Sequence, residues 1–173
     1  MVKKPLIVIA LLIVGASVVI LMPRQQIGPE VLDIPLTDVD GNKFTLSDFR
    51  GRVIVLEFMT TRCPLCVDEI DHLRSVEEKY GDQITIILVS VDVFEKPDQL
   101  KEYMDRYNIG WKVAKDEYKT ESGWSRSGDM THEIGVRGTP TIVIFDREGN
   151  INHINEGLMV EAALTKNIDQ LLA

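Results

Sequence analysis

"VIVLEFMTTRCPLC", residues 53–66, sets the frame from which the rest of the chain is read. Val53 to Met59 is almost continuously apolar, the pattern of a strand buried on both faces, as in a parallel sheet. Cys63 and Cys66, the only two cysteines of the chain, follow within a few residues. Pro64 stands where a helix can start. Beyond it Val67, Ile70, Leu73, Val76 and Tyr80 recur at three- and four-residue steps, which predicts a helix with one buried face and a stop at Gly81. A Cys pair at such a strand–helix junction can be a redox centre, half of a metal site, or two buried thiols. A bridge across two residues closes too small a loop to add much stability, so reactivity is the better reason for the pair. Zinc wants four ligands, and neither His72 nor His132 has a partner at the usual spacing. The backbone N–H groups and dipole of a helix start favour a thiolate on Cys63. Arg62 adds a cation if its side chain turns toward the sulfur.

Working outward, "PRQQIGPE" (23–30) reads as a linker, and "VLDIPLTDVDGNKFTL" as a hairpin pairing 34–38 with 43–46 around Asp40-Gly41-Asn42. Ser47 is placed to cap a short helical turn ended by Gly51. Ile84 to Val91 is a second buried strand, and Asp98 to Tyr107 a second helix with Leu100, Tyr103, Met104 and Tyr107 on one face. Ile142 to Phe145 and Ile151 to Ile154 are further strands separated by the turn "DREGN". A last amphipathic helix carries Val160, Ala163, Leu164, Ile168, Leu171 and Leu172. Strands alternating with helices argue for an α/β domain with helices on both faces of its sheet. Residues 116–131, "DEYKTESGWSRSGDMT", break the alternation and read as a polar loop or insertion, either one whose length points to function or partner contact or a surface loop anchored by Trp124.

The chain has 173 residues and a formal net charge of −8, and it has no cluster of Lys and Arg for phosphate contacts, so nucleic acid is set aside as a partner. Lys3 and Lys4 precede an uncharged run from Leu6 to Met22, and Arg24 follows. Those 17 residues, at about 1.5 Å each, span roughly 26 Å as a helix, close to the thickness of a hydrocarbon core. The run is longer than the apolar part of a cleaved signal peptide, and no tidy cleavage site follows it. The expectation is an N-terminal transmembrane anchor over 1–22, a linker over 23–30, and one domain over 31–173. The N-terminus lies in the cytoplasm and the domain outside it, where disulfides persist.

"LTDVDGNKFTLSDFRGRVIVLEF" (36–58), "CPLC" followed by Glu69, "SVD" (90–92) and "GVRGTPTIVIFDREGNI" (135–151) together resemble the thioredoxin superfamily, and more narrowly the TlpA/ResA-like membrane-anchored thiol–disulfide oxidoreductases with an AhpC/TSA-redoxin-type domain. The resemblance covers most of the chain from Pro29 onward. It implies a thioredoxin-like α/β fold: a mixed central sheet flanked by helices, with an N-terminal β-hairpin extension. It implies catalysis by Cys63 and Cys66, with Pro140 as the cis-proline facing them. Thr139 would offer backbone to an extended partner peptide. Glu57, six residues before Cys63, matches a buried acid that moves a proton for Cys66. Glu69 matches an acid three residues after the second Cys, facing either solvent or the disulfide. The group usually carries Trp just before the first Cys and after the strand Phe; here Arg62 and Met59 stand there, so Arg62 becomes a partner-contact residue.

The expected function is exchange between the Cys63–Cys66 pair and protein disulfides or thiols, more as a reductant than as an oxidant. It needs no cofactor and no metal, but does need a membrane electron donor or acceptor. A peroxiredoxin-like peroxidase is the enzyme rival, since Thr60 lies three before Cys63. A copper carrier on the same fold, with His132 or His153 as an added ligand, is the rival binding protein; its usual Cys spacing is one residue longer than here.

Overall fold

The computed structural model describes residues 29–116 and 128–173. Among the described residues one sheet contains β1 (Leu36–Asp38), β2 (Lys43–Phe44), β3 (Val53–Met59), β4 (Ile84–Ser90), β5 (Lys112–Asp116), β6 (Thr141–Phe145) and β7 (Ile151–Glu156), in the order β2-β1-β5-β4-β3-β6-β7. β3 and β4 are parallel, as are β4 and β5, so each connection must cross over the sheet. Helices α1 (Pro64–Tyr80) and α2 (Pro97–Tyr107) make those crossovers. β6 and β7 are antiparallel to β3 and to each other, and the β1–β2 hairpin caps the far edge through antiparallel pairing of β1 with β5. The short α3 (Asp129–Ile134) precedes β6, and α4 (Glu161–Leu172) ends the chain.

β3 is buried along its whole length because it feeds two cores. Val53, Val55 and Met59 pack with Ile70 and Leu73 of α1, Leu100 of α2, and Leu164 and Ile168 of α4. Ile54, Leu56 and Phe58 point the other way, against Met130 and Ile134 of α3 and Val31 and Leu32 of the N-terminal 3-10 turn Pro29–Asp33. Burying each such side chain contributes about 1.5–3 kcal/mol. The turn between β6 and β7 closes tightly: Gly149 has φ 91° and sits so near Leu32 that an added Cβ would come within 2.2 Å of Leu32 Cδ1. Only glycine fits both conditions.

The structure corrects the sequence reading in three places. Lys112–Asp116 is a strand that was not anticipated, its alternation being too short and too charged to stand out. The polar stretch 116–131 is not one surface loop. Asp116 ends β5 and is buried, while Met130 and Thr131 belong to α3 and are buried as well; Trp124 lies outside the described residues. The short turn after the hairpin, Leu46–Phe49, takes Thr45 rather than Ser47 as its N-terminal cap, with the Asp48 carboxylate accepting from the Thr45 N–H at 2.8 Å. No helix of the described residues is long and apolar enough to cross a membrane, and the expected anchor over 1–22 lies outside them.

Candidate active site

Cys63 caps the start of α1, directly beyond the end of β3. Its N–H donates to the Thr60 carbonyl at 3.1 Å, and the Cys66 N–H donates to Cys63 Sγ at 3.1 Å. Pro64, at the first helical position, gives up no N–H that the helix could have used. Cys63 and Cys66 are joined as a disulfide with Cα atoms 5.3 Å apart. The exposure of the two is unequal: Cys63 keeps 8% of its surface and Cys66 none. Only the first sulfur lies where a partner can approach. A cleft of about 410 Å³ opens there, lined by Thr61, Arg62, Cys63, Pro64, Val67, Asp68 and Tyr107.

Sheet register brings the "GTPT" segment to the same end. Phe58 pairs with Thr141, so Thr139 and Pro140 lie level with the residues between β3 and Cys63. The Thr139–Pro140 peptide bond is cis. Pro140 is buried and Thr139 half-buried. The Pro140 carbonyl accepts from the Gly157 N–H at 2.8 Å, tying the β7–α4 connection to the site.

Two carboxylates lie inside the fold behind the disulfide. Glu57 alternates along β3 with Val55 and Met59, so its side chain faces the core that holds Cys66. It is fully buried, and neither carboxylate oxygen has a hydrogen-bond partner among the described residues. Burial, with the charge of Glu69 second, raises its pKa well above the ordinary value. Glu69, one turn of α1 beyond Cys66, is also buried. The Met159 N–H donates to its Oε2 at 2.8 Å, while Oε1 is unpartnered among the described residues. Desolvation lifts its pKa to about 7 against the lowering effect of that hydrogen bond. Of the two orientations expected for Glu69, the solvent-facing one is therefore excluded, and its carboxyl does not lie on the surface a partner would touch. The Tyr103 hydroxyl, also buried and unpartnered among the described residues, completes this polar group; burial and Glu57 raise its pKa.

Arg62 does not turn to the sulfur. Its guanidinium, largely exposed, pairs with the Asp92 carboxylate on the β4–α2 loop. The same loop supplies a residue that sequence reasoning missed. Glu95 is buried, and its Oε1 accepts from the Thr61 N–H at 2.8 Å and the Thr61 hydroxyl at 2.5 Å, while Oε2 accepts from the Ser90 hydroxyl at 2.5 Å. It fixes the approach to Cys63, yet nothing in "VDVFEKPD" distinguishes it from a solvated glutamate. No group of three or more His, Cys, Asp and Glu side chains is gathered for a metal among the described residues; His132 lies on α3 and His153 on β7.

A thioredoxin-like sheet with a CxxC pair at the end of its central strand defines a thiol–disulfide oxidoreductase. The chain belongs to the AhpC/TSA family, whose model matches residues 27–154. It is similar to the thiol–disulfide oxidoreductase ResA of Bacillus thuringiensis subsp. konkukian (strain 97-27), 26% identical over 128 residues, which cover 74% of this chain and 68% of that protein. The thioredoxin-like protein YneN of Bacillus subtilis (strain 168) is 25% identical over 145 residues, 83% of this chain and 79% of its own. Among solved structures, a thiol–disulfide isomerase from Corynebacterium glutamicum superposes with a TM-score of 0.67 at 25% identity, over 82% of this chain and 97% of that one.

Proposed function

We propose that this protein is a membrane-anchored reductant of protein disulfides outside the cytoplasm, working through Cys63 and Cys66. The observation that carries the reading is the asymmetry of the pair: a partly accessible Cys63 at a helix start, with Cys66 shielded behind it next to two buried carboxylates. In the reduced enzyme the Cys63 thiolate attacks one sulfur of a substrate disulfide. A mixed disulfide forms, and the other substrate sulfur leaves as a thiolate that takes up a proton. Cys66 then loses its proton to the Glu57 carboxylate and attacks Cys63 Sγ. The Cys63–Cys66 disulfide forms and the second substrate thiol leaves, so the substrate gains two electrons and the enzyme loses two. A membrane dithiol donor returns them. Pro140 and Thr139 border the sulfur and present backbone to an extended substrate, a strand-addition mode. Glu69 acts behind the disulfide as a modulator of Glu57, and Arg62 at the rim of the cleft meets the partner.

The proposed anchor is 1–22 and the linker begins at 23, while Pro29 and Glu30 of the expected linker 23–30 already belong to the 3-10 turn Pro29–Asp33 that opens the domain. The uncharged run Leu6–Met22 supports anchoring, and a Cys pair suited to disulfide exchange suits a domain outside the cytoplasm.

Two measurements test the proposal. Cys66→Ala is expected to accumulate a covalent adduct with a disulfide substrate and Cys63→Ala none; absence of any adduct with Cys66→Ala removes the mechanism. Equilibrating the fragment from Pro23 in redox buffers reads the direction. A potential near thioredoxin's, about −270 mV, fits a reductant, and one near about −120 mV would make the protein an oxidant.

A further inference from the structure

Five large apolar side chains are exposed among the described residues: Leu65, Phe94, Ile154, Leu158 and Val160. All but Ile154 lie at the end of the sheet that carries the disulfide. Leu65 stands between the two cysteines and is 47% exposed. Phe94, 79% exposed, belongs to the loop after β4, whose end lies beside that of β3. Leu158 and Val160 flank Met159, the residue whose N–H is bonded to Glu69, in the connection tied to Pro140 through Gly157. The connections that leave β3, β4 and β7 and the one that enters β6 thus meet along one edge, and apolar side chains are set on either side of Cys63.

Phe94 is held there. Asp92 accepts from the Phe94 N–H at 2.9 Å through Oδ1 while its Oδ2 pairs with Arg62. Glu95, next in sequence, is buried and grips Thr61. The loop is therefore fastened on both sides of Phe94 to the segment that leads into Cys63. A mobile surface loop needs no buried carboxylate with three hydrogen bonds, and a phenyl ring left in water gains nothing for the fold.

We infer that Phe94, clamped by Asp92 and Glu95, is a partner-reading residue: it receives an apolar side chain next to the cysteine of an extended protein segment docked over Cys63. The inference rests on the thiol–disulfide reading above and adds the class of sequence that the site prefers. The occupant follows from accessibility. Cys63 keeps only 8% of its surface, so a partner sulfur that reaches it brings its neighbouring residues down onto the rim, where Leu65 and the loop fastened to Thr61 and Arg62 stand. Apolar flanking residues gain from that placement and polar ones do not.

The test uses two synthetic peptides, each joined by a disulfide to thionitrobenzoate and differing only in Leu or Ser beside the cysteine. Release of thionitrobenzoate by the reduced protein is followed. The expected result is a second-order rate constant for release about tenfold higher for the Leu peptide, with Phe94→Ser reducing the preference to about twofold or less. Equal rates for the two peptides with the unaltered protein overturn the inference while leaving the oxidoreductase reading standing. A preference that survives Phe94→Ser overturns the role of Phe94. Release from neither peptide, with no adduct on Cys66→Ala, would instead sink the reading on which the inference rests. Self-association of the reduced protein that Phe94→Ser abolishes would assign the rim to a second copy and also overturn it.

Discussion

Glu57 sits in a strand whose other six residues are apolar, with no hydrogen-bond partner for its carboxyl among the described residues. Burying such a group costs free energy that a leucine would not. Glu57→Leu is therefore expected to raise the chemical-denaturation midpoint at neutral pH. Glu57→Leu and Glu57→Gln are both expected to slow resolution of the mixed disulfide, on the order of 10²-fold, the scale of a lost general base. Rapid-mixing measurement of substrate-thiol release checks the second part, and a Gln variant resolving at the original rate would remove Glu57 from the mechanism. Glu69 makes a pH prediction. Its pKa is raised from 4.5 to about 7, so the folded state holds a proton that the unfolded chain gives up. The associated stability is complete below about pH 4.5 and is lost as pH rises toward about 7. Denaturation of the oxidised protein across that window is expected to show a fall in stability that Glu69→Gln flattens. Glu57 contributes a fall of the same sign.

At the scale of elements, Asp116 joins two that the sequence did not reveal. It ends β5 and turns its carboxylate to the start of α3, accepting from the Met130 N–H at 3.0 Å and the Thr131 N–H at 2.7 Å, with the Thr131 hydroxyl as a third donor. These N–H groups at a helix start have no partner within the helix, so the aspartate takes the part of a cap supplied from a strand. Asp116→Ala is expected to destabilise the protein by about 1–2 kcal/mol, loosening α3 while leaving the reduction potential of the Cys pair unchanged. Hydrogen exchange at Met130 and Thr131 would show the loosening directly. The spacing of Asp116 and Thr131 in sequence carries no sign of this contact, because a strand-to-helix cap follows no local pattern. α1 was legible instead, since its proline start, its apolar face and Gly81 at its end are all local features.

For the whole molecule, the proposed anchor gives a fractionation prediction. The full chain is expected to stay with membranes through high salt and alkaline washing, while the fragment from Pro23 is released as a soluble thiol-active domain. A full chain recovered in the soluble fraction would remove the anchor. The sequence by itself determined the buried central strand, the helix beginning at Pro64, the paired cysteines and the alternation of strand and helix, since each depends on residues close together in the chain. The "GTPT" segment was recognised there too, through resemblance. Its place beside the cysteines is a matter of register between β3 and β6, which lie more than 80 residues apart. Only the tertiary structure decided that Glu57 and Glu69 share one buried region, that Arg62 spends its charge on Asp92, and that Glu95 grips Thr61. A carboxylate is written identically in sequence whether solvated, paired or buried. Its chemistry is set by the dielectric and the donors around it, and those are assembled from distant segments when the sheet closes.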